Sequence, residues 1–136
     1  MFEALEKLEE IHAEAMMRLR SEGEIALRDC FKAFFAKHPS VYALRWAQYT
    51  PYFNDGEPCV FRVMEAEFCT EEGAEFHGSW GSAYDALSDE IRTDLGTLTG
   101  HLQSDELEPV LLAMFGDHVE ITVTAEQISI NEYSHD

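Results

Sequence analysis

Leu5, Leu8, His12, Ala15 and Leu19 recur at alternating steps of three and four. That spacing puts them on one stripe of an α-helix over residues 2–20. Glu3, Glu6, Glu10 and Glu14 make a second, largely acidic stripe on another face. Gly23 weakens the pattern, and Leu27, Phe31, Phe34 and Phe35 then supply the buried face of a helical stretch reaching Lys37. His38-Pro39 stops it, because the residue before a proline avoids the helical region. Residues 1–38 therefore read as helical, either as one long bent helix or as a tight helical pair.

Two strands are expected next, Val41 to Tyr49 and Cys59 to Phe68, as a hairpin over 41–68. In the second, Val60, Met64, Ala66 and Phe68 share a face with Arg62, while Phe61, Val63, Glu65 and Glu67 share the other. Between the strands, TPYFNDGEP carries turn chemistry. Glycines at 73, 78 and 81 mark residues 70–82 as loop. Helices follow over 82–115. Ser82 offers an N-cap, and Tyr84, Leu87, Ile91, Leu95 and Leu98 hold helical spacing. A second helix fits 105–115, with Pro109 in its first turn and Gly116 after its end.

The C-terminal hairpin, 117–133, has the clearest alternation. A turn at Ala125-Glu126 pairs Val123 with Ile128 and Ile121 with Ile130 on one face. The other face then pairs Thr122 with Ser129, Glu120 with Asn131 and His118 with Tyr133. This register satisfies both faces at once, and a slip of one residue would not. The sum is a single α+β domain over 1–136. It has a long N-terminal helical segment and about four mainly antiparallel strands, with helices on one face of the sheet.

Composition adds a strong sign. The 136 residues include 27 Asp+Glu against 9 Lys+Arg, a formal net charge of −18. Residues 1–45 hold seven basic and eight acidic side chains, whereas residues 46–136 hold only Arg62 and Arg92 against nineteen acids. Direct binding to nucleic acid runs against that field, since such affinity comes from cations on phosphates. An anionic membrane surface is disfavoured for the same reason. No apolar run approaches the ~20 residues of a membrane span. The charged first twenty residues lack a secretory pattern, and three cysteines, an odd number, suit reduced thiols. The expected location is the cytoplasm.

WAQYTPYFNDGEPCVF at 46–61, with FGDHVEITVT at 115–124 and EYSHD at 132–136, resembles a family of bacteriophage and bacterial proteins to which no activity is attached. About a quarter of the chain carries the resemblance. It implies a phage or bacterial setting and a shared fold, and it assigns no catalytic residue.

Two arrays of acids stand out, one being the helical stripe of Glu3, Glu6, Glu10 and Glu14 and the other lying at 65–75. Glu65 and Glu67, ~6.6 Å apart on one strand face at ~3.3 Å per residue, are followed by Glu71, Glu72 and Glu75. With Tyr52 and Phe53, which lie beside the Asn54–Glu57 loop, they form the expected partner-binding set. Carboxylates at such intervals imitate a phosphate backbone to a basic protein surface, and a solvated face is the plain alternative. The function expected is that of an acidic, non-enzymatic interaction protein with a basic protein partner. The helix 2–20 could also serve as a homodimer seam.

The alternative is a metal-binding domain or metal-dependent enzyme around Asp117 and His118, joined by His135 or by Asp55 and Glu57. Asp and His together hold divalent metals or move protons, and the Asn54–Glu57 oxygens suit hard cations. A hydrogen-bonded strand end and a simple turn account for the same residues. Cys30, Cys59 and Cys69 lack zinc-ligand spacing. No cofactor is expected beyond that divalent ion.

Overall fold

The computed structural model describes residues 1–52, 56 and 58–134. The N-terminal segment is one helix, α1 (Glu3–Lys37), 35 residues long, or ~52 Å at 1.5 Å per residue. Gly23 does not break it. The Arg18–Glu22 and Glu24–Arg28 pairs at i,i+4 support the exposed surface around it. The helix ends where expected, with the His38 N–H donating to the Phe34 carbonyl.

Among the described residues, five strands form the sheet: β1 (Ala43–Tyr49), β2 (Arg62–Val63), β3 (Glu67–Cys69), β4 (Val119–Thr124) and β5 (Ile128–Glu132). All pairings are antiparallel. β4 lies between β1 and β5, and β2 and β3 occupy the other edge of β1 in succession. The sheet is thus four strands wide, with one edge divided in two.

That division corrects the uninterrupted strand expected over Cys59–Phe68. Gln48 faces Val63, and Arg45 faces Glu67. Two residues of β1 therefore oppose three, Met64 to Ala66, across the gap. Such a bulge reverses the alternation. Val63 and Phe68 are both buried although five residues apart, which an unbroken period of two forbids. Glu65 and Glu67 consequently do not form the expected row on one regular strand.

Three helices connect β3 to β4: α2 (Ser82–Asp85), α3 (Asp89–Leu102) and α4 (Leu107–Phe115). The expected helix from Ser82 is split. Ser88, rather than Ser82, caps the longer piece, its hydroxyl accepting from the Ile91 N–H at 3.2 Å. α4 carries Pro109 in its first turn and ends at Gly116, whose φ of 91° suits glycine. The β4–β5 hairpin has the expected register, residue for residue, from Val119↔Glu132 to Val123↔Ile128.

Leu44, Trp46 and Gln48 point from β1 into the core, beside Ile121 and Val123 of β4. Phe31 stacks on Trp46 with centroids 5.9 Å apart, and Phe115 meets it edge-on at 6.2 Å. Phe68, Leu95, Leu102 and Leu111 complete the cluster. The opposite sheet face is polar, built from Arg45, Ala47, Glu120, Thr122 and Thr124. Among the described residues, no helix is long and apolar enough to cross a membrane.

Candidate functional site

Every Lys or Arg of the β-rich body is engaged by the body's own acids or lies beside them. Arg45 stands in the middle of the polar sheet face. Its Nη2 donates to Glu67 Oε1 at 3.0 Å, its Nε lies 3.7 Å from Glu120 Oε2, and its guanidinium covers the Phe76 ring at 4.2 Å. Arg62 lies 3.6 Å from Glu108 Oε1, and Arg92 pairs with Asp89. Sequence reasoning placed Arg62 and Arg92 among nineteen acids but did not foresee Arg45 as the hub of that face. Its alternation with Trp46 was the available signal.

The five acids of the expected binding set therefore differ in state. Glu67 is held by Arg45. Glu65 accepts from Ser79 Oγ at 2.8 Å and from the Ser79 N–H at 3.2 Å, tying the bulge to the 78–82 loop. Glu71, Glu72 and Glu75 are exposed and make no ion pair among the described residues. Burial, and then the negative charge of Glu72 and Glu126, pushes the Tyr42 phenol above its ordinary pKa. Tyr52 is exposed, stacked flat on the His118 ring at 4.7 Å. Phe53 lies outside the described residues.

At the same end of the sheet, Asp117 has a defined structural task. Its Oδ1 accepts from the Thr50 N–H at 2.7 Å and the His118 N–H at 2.9 Å, and its Oδ2 accepts from Thr50 Oγ1 at 2.6 Å. Burial works to raise its pKa, but these hydrogen bonds outweigh it and hold the carboxyl below the usual range. His118 adopts a φ of 54°, unusual for a residue with a side chain. Its Nε2 lies 3.7 Å from Asp117 Oδ1, and its carbonyl accepts from the Tyr133 N–H at 2.8 Å. Tyr133 in turn stacks on Tyr49 at 5.4 Å. The convergence of Asp117, His118 and Tyr133 expected from the register is present. Asp55, Glu57 and His135 lie outside the described residues. Among those described, no three His, Cys, Asp or Glu side chains gather at metal-binding distance.

A second surface, without a counterpart in the sequence reading, is an apolar groove of about 440 Å³ between α1 and α3. Ala26, Cys30 and Ala33 line one wall, Leu98 and His101 the other, with Leu27 and Phe34 at its floor. Lys37 closes one end through Glu90 and Asp94 at 3.1 and 2.9 Å. His38, read from the sequence only as a helix stop, is buried there and hydrogen-bonded to Asp94 at 2.7 Å.

Comparison with protein-family models, with curated proteins and with solved structures finds no match in any of the three.

Proposed function

We propose that this chain is an acidic, non-enzymatic interaction protein that binds a basic protein surface and imitates nucleic acid to it. The observation that carries the reading is the state of the cations. Within residues 46–136, Arg62 and Arg92 face nineteen acids, and both are already engaged by Glu108 and Asp89. The remaining acids form a field of one sign, which steers and orients a cationic partner more than it adds raw affinity. Glu71, Glu72 and Glu75 are the contact residues, because Glu65 and Glu67 are already committed to Ser79 and Arg45. The resemblance at 46–61 supports a phage or bacterial setting.

The test compares proteins captured from bacterial lysate by the wild type and by Glu71→Lys/Glu72→Lys/Glu75→Lys. The reading requires a basic partner that is lost in the variant, released by salt and displaced by duplex DNA. A partner retained by the variant in high salt overturns it. A basic partner that DNA fails to displace removes the imitation of nucleic acid and leaves the acidic contact.

A further inference from the structure

We infer that α1 is the seam of an antiparallel homodimer, in which the apolar stripe of its N-terminal half lies in the α1–α3 groove of a second copy. The inference concerns a different surface from the acidic body and does not depend on that reading.

From Met1 through Ala15 every residue is exposed, Leu5 by 56% and Leu8 by 61%. Leucines at that spacing form a stripe that in a water-soluble helix is ordinarily covered. The chain cannot cover it with its own groove, because α1 runs unbroken from Glu3 to Lys37 and a continuous helix does not fold back on itself. The stripe continues along α1 onto Ala26, Cys30 and Ala33, which are also exposed and form a wall of the groove.

Three properties select a second copy in antiparallel orientation. The first is size. A two-fold axis at Leu19 sets Leu5 against Ala33, Leu8 against Cys30 and His12 against Ala26, a large side chain against a small one at each, with Ala15 against Gly23 and Leu19 meeting its own copy at the centre. Facing positions of unequal size interdigitate, whereas a parallel pair would set leucine on leucine and leave the groove empty. The second is charge. Side chains of residues 1–15 comprise five acids and one base, and those of residues 16–37 five bases and three acids. Antiparallel pairing brings the acidic half against the basic half; parallel pairing stacks the acidic halves on each other. The third is extent. The seam from Leu5 to Ala33 is ~42 Å long. With its flanks and the α3 wall it engages about twenty residues a side, the scale of a stable interface.

The register makes a covalent test available. On one helix, residues 8 and 30 are separated by ~33 Å, so a bond between them forms only between chains. Disulfide formation needs Cα atoms within ~7 Å. In a Cys59→Ser background, Leu8→Cys treated with diamide is expected to give a disulfide-linked dimer through native Cys30. Leu8→Cys/Cys30→Ser, and Cys59→Ser alone, should stay uncrosslinked. Light scattering should give the wild type the mass of two chains, and Leu5→Glu/Leu8→Glu the mass of one with an unchanged circular dichroism spectrum. Leu5 and Leu8 are exposed, so that variant keeps its fold. A monomeric wild type overturns the inference, as do crosslinking of Leu8→Cys/Cys30→Ser, a Leu8→Cys chain that fails to crosslink, and a Leu5→Glu/Leu8→Glu protein that remains dimeric.

Discussion

The Trp46 indole N–H donates to Gln48 Oε1 at 3.1 Å, two residues along β1, and both side chains are fully buried. The Gln48 amide in turn donates to the carbonyls of Leu111 and Gly116 at 3.0 and 2.9 Å. One side chain thus satisfies the largest core residue and the C-terminal turn of α4 together. Buried polar groups are tolerated only when paired in this way. Gln48→Leu would leave the indole and two carbonyls without that partner. A loss of about 3 kcal/mol is expected, at ~1–3 kcal/mol for each buried group left unsatisfied. Urea unfolding should show it, and a loss below about 1 kcal/mol would mean that water replaces the amide.

The groove's polar end gives stability a pH window. Hydrogen bonds from His38 and then Lys37 hold the Asp94 carboxyl below its ordinary pKa, and the hydrogen bond to Asp94 raises Lys37. A depressed carboxyl contributes fully above its unfolded value of ~3.9 and loses that contribution as pH falls through the lower folded value. A raised lysine contributes below ~10.4 and loses its contribution as pH rises through the higher folded value. The stability deficit of Asp94→Asn should therefore be largest between these limits and vanish in strong acid. Urea midpoints of both proteins across pH test this. A deficit independent of pH would assign the effect to packing.

Asp117 ties β1 to the entry of β4 through Thr50. Asp117→Ala removes the acceptor of three hydrogen bonds at a partly exposed site. A cost of about 1–2 kcal/mol is expected, in the upper part of the range for loss of a capping side chain. Asp117→Asn keeps one oxygen for the two N–H groups and presents its amide to the Thr50 hydroxyl, so it should cost less. Equal losses in chemical denaturation would show that the negative charge itself is required.

Self-repulsion at a net charge of −18 predicts that monovalent salt raises the melting temperature, because screening weakens like-charge repulsion. Mg²⁺, Ca²⁺, Mn²⁺ and Zn²⁺ should do no more than NaCl at matched ionic strength. An excess stabilisation by one ion, lost on chelation and in His118→Ala, would instead favour a specific metal site by mass action.

The β4–β5 register was legible because alternation and turn position were both local and agreed. The buried face of α1 at Leu27, Phe31, Phe34 and Phe35 was legible for the same reason. The bulge at Met64–Ala66 was not, because the side chains that meet it, Thr99 at the Ala66 N–H and Glu108 at the neighbouring Val63 N–H, lie 33 and 45 residues away. Buried Glu108 of α4 accepts the Val63 N–H at 2.8 Å, so β2 pairs with a side chain where a further strand would otherwise be needed. Glu65 falls in that bulge and Glu67 in β3, so the regular row expected of them is interrupted without a local signal in the sequence. Likewise, serine at 82 and at 88 offers the same cap in sequence, but Ser82 is the first residue of α2, which has no side-chain cap, whereas Ser88 accepts the Ile91 N–H. The groove arises from two helices more than fifty residues apart in sequence and has no local signature.

The exposed half of α1 also has a kinetic meaning. An isolated helix of about 12–15 residues is marginal in water because its first turn is costly to nucleate. Leu27, Phe31, Phe34 and Phe35 fix the helix to the core, so they provide that nucleus and the preceding turns grow outward from it. Amide hydrogens of the separated chain should then exchange progressively faster from Leu27 toward Glu3, as fraying proceeds from the far end. A covering partner would flatten that gradient.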